Sequence, residues 1–152
     1  MQPQFKIVLH EPEIPGNTGS IGRTCVALGI ELILIKPYGF DITEKSVRRA
    51  GLDYWKHLKL KEYESWDDFI QNEQPSSLLL FENHKSQTFY EAPYEKNSYL
   101  VFGSETKGIP EKILDHYADD VYSLPMYSNV IRSLNLSNTA TAVAYQCLNS
   151  LL

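Results

Sequence analysis

Tyr99-Leu100-Val101-Phe102-Gly103-Ser104-Glu105-Thr106-Lys107-Gly108-Ile109-Pro110 decides the fold class. Its first four residues are all apolar, as in a strand buried on both faces of a parallel sheet. The strand gives way to a loop bounded by two glycines, and Pro110 then opens a helix. Leu78-Leu79-Leu80-Phe81 is a second such run, and Phe5–His10 and Glu31–Ile35 are two more. Between them lie helix-periodic segments. From about Gly19, Ile21, Thr24, Cys25 and Leu28 share one face, and Gly29 follows as a C-cap. Ser65 caps a helix through Glu73, with Asp68 completing a capping-box-like pattern. A short basic helix at Glu44–Ala50, a strand at Leu58–Glu62 and a weaker strand at Val121–Leu124 complete the series before a last helix from about Ser137. Strands alternating with helices predict one α/β domain over residues 1–152, a mostly parallel sheet flanked by helices.

Composition narrows the function classes. The 152 residues are 43% apolar and 22% charged, as in an ordinary globular protein. No apolar run approaches the ~20 residues of a membrane span. The stretch Met1–Lys6 lacks the apolar core of a signal peptide. Cys25 and Cys147 show neither metal-ligand spacing nor a disulfide pattern, and the four histidines share no spacing. A reduced, cytoplasmic protein without metal is therefore expected. Fourteen basic against nineteen acidic residues give a net charge of −5, which excludes a general nucleic-acid coat but leaves room for a local basic site.

Ligands of such sheets bind beyond the carboxyl ends of the strands, and three polar segments follow strands in that way. Asn17-Thr18-Gly19, with Arg23 one turn on, reads as a ligand loop or as a helix cap with a solvated arginine. Gly103–Gly108 lacks the spacing of a P-loop, and its Glu105 suits a neutral or cationic ligand better than a phosphate. Arg132-Ser133-Leu134-Asn135-Leu136-Ser137-Asn138 precedes Ala140, Val143, Ala144, Cys147, Leu148 and Leu151 at helical spacing, so it stands at a helix N-terminus with its unpaired N–H groups. A fourth segment, Asp41–Lys56, carries Lys45, Arg48, Arg49 and Lys56 interleaved with Tyr54 and Trp55, a composition fitted to phosphates and stacked bases or to an exposed helix face. No G-x-S-x-G elbow or Cys/His pairing supports a hydrolase.

Taken in order and spacing, these segments resemble the SPOUT class of S-adenosylmethionine-dependent RNA methyltransferases, and within it the small tRNA wobble-nucleotide 2′-O-methyltransferases. The motifs are Asn17…Gly19…Arg23, Phe102 to Pro110, and Leu124-Pro125-Met126 followed by Arg132 to Asn138. Arg48 to Tyr54 matches the small-family pattern. The resemblance implies a C-terminal deep trefoil knot, a homodimer, and S-adenosylmethionine held by Phe81, Gly103, Leu124 and Ser133. It implies Arg23 and Asn17 as catalytic residues, with Asn17 orienting Arg23. The anticodon stem-loop of tRNA, leucine tRNAs among them, would meet Arg48, Arg49 and Arg132, and the wobble cytidine or modified uridine would receive the methyl group. The alternative is a noncatalytic RNA-binding or ribosome-assembly module that retains the cofactor pocket.

Overall fold

The structure, a computed structural model, describes residues 3–42 and 53–152. Six strands form one sheet: β1 (Lys6–His10), β2 (Glu31–Ile35), β3 (Lys59–Tyr63), β4 (Leu78–Phe81), β5 (Tyr99–Phe102) and β6 (Val121–Tyr122). Their order is β3-β2-β1-β5-β4-β6, and every pairing is parallel. All six carboxyl ends therefore open on the same edge. Among the described residues, four helices flank the sheet: α1 (Pro15–Leu28), α2 (Trp66–Glu73), α3 (Glu111–His116) and α4 (Leu136–Leu151).

The pleat sorts each apolar strand between two cores. Ile7, Leu9, Leu32, Leu34, Leu100 and Phe102 face α1 and α4, where Ile21, Cys25, Ala140, Val143, Ala144 and Cys147 are buried. Val8, Ile33, Ile35, Leu80 and Val101 face the other way, onto Phe69 of α2 and Ile113 and Leu114 of α3. This two-sided burial is why the central strands carry no polar alternation.

Helix ends follow local chemistry. Gly29 adopts φ 69°, and the chain leaves α1 through the bond from Gly29 N to the Val26 carbonyl. Ser65 Oγ accepts from Asp68 N at 3.1 Å, while the Asp68 carboxylate accepts from Glu64 N rather than from Ser65. Helix α1 begins at Pro15, four residues before the expected start, because proline suits the first helical position. The strand expected at Val121–Leu124 ends at Tyr122. The basic helix expected at Glu44–Ala50 lies outside the described residues. Val143 is fully buried within its own chain, in the core beneath α4.

Candidate functional site

Beyond the carboxyl edge of the sheet, the segments after β1, β4, β5 and β6 enclose a cavity of about 340 Å³. Phe81, Gly103, Leu124 and Ser133 all line it, together with Asn17 and Asn135. Four residues chosen from separate segments of sequence thus converge on one space.

Asn17 joins the three motifs. Its Nδ2 donates to Glu105 Oε2 at 3.0 Å, and its Oδ1 accepts from Asn135 Nδ2 at 3.2 Å. Glu105 in turn accepts from the backbone N–H groups of Glu13 (2.8 Å) and Ile14 (2.9 Å). A carboxylate from the loop after β5 thereby supplies the N-terminus of α1, where Ile14 offers no side-chain cap. The exchange runs both ways, since the Glu13 carboxylate accepts from Thr106 N (2.9 Å) and Thr106 Oγ1 (2.7 Å). These two bonds hold the Glu13 carboxyl below the usual carboxylate range.

The glycines of the loop serve its own closure. Gly108 N donates to the Ser104 carbonyl at 3.0 Å, and a Cβ on Gly103 would run into the backbone of Gly108 and Ile109. Gly108 has φ 69°, and the Glu82 carboxylate fills the space where its Cβ would stand. Glu82 also accepts from Ile109 N at 2.7 Å, tying the segment after β4 to the loop after β5. In that same segment His84, at φ 57°, sets its Nε2 2.9 Å from the Arg132 carbonyl oxygen. A carbonyl only accepts, so Nε2 carries the proton. Sequence reading missed Glu82, His84 and Glu13, whose partners lie at least 27 positions away.

Asn135 is both a cap and a wall of the cavity. Its Oδ1 accepts from Ser137 N, Asn138 N and Ser137 Oγ at the start of α4. The same side chain turns its Nδ2 to Asn17.

Arg23 stands apart from this network. It is exposed, does not line the cavity, and places its Cζ 5.5 Å from the centre of the Tyr54 ring. Asn17, expected to orient it, bonds to Glu105 and Asn135. Arg132 is exposed and joins the site through its carbonyl. Arg48 and Arg49 lie outside the described residues. Among the described residues, no cluster of histidine, cysteine or carboxylate side chains is arranged to hold a metal, and no helix is long and apolar enough to cross a membrane.

Comparison with known proteins agrees with this geometry. A tRNA (cytidine(34)-2′-O)-methyltransferase of Saccharophagus degradans is 43% identical over 143 residues, covering 93% of this chain and 92% of its own length. One of Burkholderia pseudomallei with the same name is 39% identical, covering 93% and 92%. A structure solved for the 2-OH methylation of C/U34 on tRNA superimposes with a TM-score of 0.91 at 35% identity, covering 99% of this chain and 98% of its own. The SpoU methyltransferase AviRb of Streptomyces viridochromogenes, solved with AdoMet, matches at a TM-score of 0.81 and 25% identity, covering 99% of this chain and 62% of its own. The profile of the SpoU rRNA Methylase family spans residues 4–145, and this chain belongs to that family.

Proposed function

We propose that this chain transfers the methyl group of S-adenosylmethionine to the ribose 2′-hydroxyl of tRNA nucleotide 34, a cytidine or modified uridine. The cavity carries the reading: Phe81, Gly103, Leu124 and Ser133 come together there from the end of β4 and the segments after β5 and β6. The names of the relatives from Saccharophagus degradans and Burkholderia pseudomallei support the substrate and the position of methylation.

The residues present fit the cofactor. The volume lies at the lower end of the range for small-molecule sites, roughly 300–1,000 Å³. Phe81, Leu124 and Leu134 offer apolar surface to a flat base, and Ser133, Asn135 and Glu82 add polar groups. S-adenosylmethionine supplies an electrophilic methyl group when bound. Asn17, fixed on both sides by Glu105 and Asn135, gives the cavity a rigid floor, and alignment accounts for much of such a reaction's acceleration. A guanidinium has five donors and no acceptor. Arg23 therefore anchors the phosphate and hydroxyl of the target nucleotide, while the hydroxyl proton leaves to solvent or a neighbouring group.

The reading includes a homodimer whose sites combine both subunits. The exposed position of Arg23, off the cavity of its own chain, supports this, as does the half-exposed Tyr145 on α4. It also includes the trefoil knot, supported by the course of residues 123–135 from the β6 edge of the sheet past His84 to Asn17. Buried free thiols at Cys25 and Cys147 accord with a reducing cytoplasm.

Calorimetry with S-adenosylhomocysteine, flavin mononucleotide and NAD, followed by transfer from labelled S-adenosylmethionine to bulk tRNA, tests the proposal. Binding of the first compound alone and labelled tRNA are expected. Failure to bind S-adenosylhomocysteine overturns it.

A further inference from the structure

We propose that Tyr54 is a positioning residue for Arg23, its ring forming the platform that holds the guanidinium ready for the target nucleotide. The inference rests on Arg23 acting as the substrate anchor.

Three contacts made by one dipeptide carry it. The Arg23 Cζ lies 5.5 Å from the Tyr54 ring centre, within the distance at which a ring face attracts a cation. The Tyr54 hydroxyl donates to the Gly19 carbonyl at 2.7 Å. In a helix the same carbonyl accepts from the amide of the residue four positions on, which is Arg23. The neighbouring Trp55 is buried and lies so close to α1 that a Cβ on Gly22 would come within 2.7 Å of its ring. Tyr54 and Trp55 thus grip α1 at Gly19, Gly22 and Arg23, from the short turn Asp53–His57.

An exposed arginine samples many rotamers, and holding one of them costs conformational entropy at every encounter with substrate. Arg23 forms no ion pair among the described residues that would restrict it. Asn17 is committed elsewhere. A ring face beside the guanidinium restricts the side chain without occupying its outward donors, which stay free for phosphate. Tyr54 follows the Arg48–Arg49 run closely in sequence, so one short segment carries both the expected RNA cations and the support for Arg23.

The test compares Tyr54→Leu and Tyr54→Phe by steady-state transfer to tRNA, calorimetry with S-adenosylhomocysteine, and melting. Tyr54→Leu is expected to lower kcat roughly ten- to a hundredfold, the scale on which a misplaced reacting group acts. Cofactor affinity should hold within about twofold, since Tyr54 is absent from the cavity lining. Tyr54→Phe keeps the ring and loses the bond to Gly19, and should cost less than Tyr54→Leu. In the unmodified protein, a nuclear Overhauser contact between the Tyr54 ring and the Arg23 side-chain protons is expected, and its absence overturns the proposal even if the Leu variant does not fold. A folded Tyr54→Leu protein with undiminished kcat, beside an inactive Arg23→Ala, overturns the platform and spares the anchor. Full transfer by Arg23→Ala overturns the anchor, and the platform falls with it.

Discussion

The side-chain amide of Asn135 donates to Asn17 Oδ1 across 3.2 Å, joining two segments 118 positions apart in the chain. Because Asn17 also donates to Glu105, a single asparagine holds the three polar segments in register around the cavity. Asn17→Ala would remove the partner of Asn135 Nδ2 and one of the two bonds to Glu105 Oε2, which keeps Ile14 N. The expected cost is about 0.5–1.5 kcal/mol of stability, with a clear loss of S-adenosylhomocysteine affinity. Asn17→Asp should be worse, because it sets a second carboxylate against Glu105. Urea unfolding and calorimetry on the two variants check the order.

How far the sequence reaches is visible in this same pair. Asn135 is legible as a helix cap, since an asparagine before an apolar periodic segment has a local cause. The all-apolar strands, the Gly29 stop and the Ser65 cap are legible for the same reason. The convergence of Phe81, Gly103, Leu124 and Ser133 is legible through the family resemblance and the rule that ligands sit beyond the carboxyl ends of strands. What binds Asn17 is not legible, because Glu105 and Asn135 reach it only through the sheet order. The bonds of Glu82 to Ile109 and of His84 to Arg132 are hidden likewise. The crowding of the Gly103 Cα by the loop's own backbone at Gly108 and Ile109 is hidden in the same way.

That crowding yields a prediction with an internal control. Gly103→Ala forces a methyl group into the Gly108–Ile109 backbone, so the loop must open, at a cost of about 1–3 kcal/mol or more. Cofactor affinity should fall with it. Gly16→Ala, in the first turn of α1 with open space at its Cβ, should be neutral or stabilising by up to about 1 kcal/mol. Denaturant midpoints at constant slope separate the two.

Acid should destabilise the protein in two steps. Burial lowers the His10 imidazole pKa below its usual 6.5, against a smaller upward pull from Glu11, so His10 is neutral in the folded chain. The unfolded chain binds that proton more readily, and stability therefore falls as pH drops below about 6.5. Glu73 follows at lower pH. Burial pushes its carboxyl up, but bonds from Tyr63, Tyr99 and Lys61 outweigh it and leave the group below 4.5. Its contribution is present above 4.5 and is lost as pH falls through the lower folded value. His10→Gln should flatten the first step of a stability profile against pH, and Glu73→Gln the second. An unchanged profile in either variant contradicts the assignment.

Arg23→Ala should abolish methyl transfer while leaving S-adenosylhomocysteine affinity nearly intact, because Arg23 lies off the cavity lining. Calorimetry beside single-turnover transfer separates these effects. A large affinity loss would place Arg23 in the cofactor site instead.

Position-resolved mapping of methylated tRNA tests the central claim most directly. Bulk tRNA, leucine acceptors included, is incubated with this protein and labelled S-adenosylmethionine, then digested with a nuclease that requires a free 2′-hydroxyl. The account predicts label in a nuclease-resistant dinucleotide that begins at nucleotide 34. Label elsewhere in the tRNA, label in ribosomal RNA alone, or no transfer by a protein that binds S-adenosylhomocysteine would contradict it.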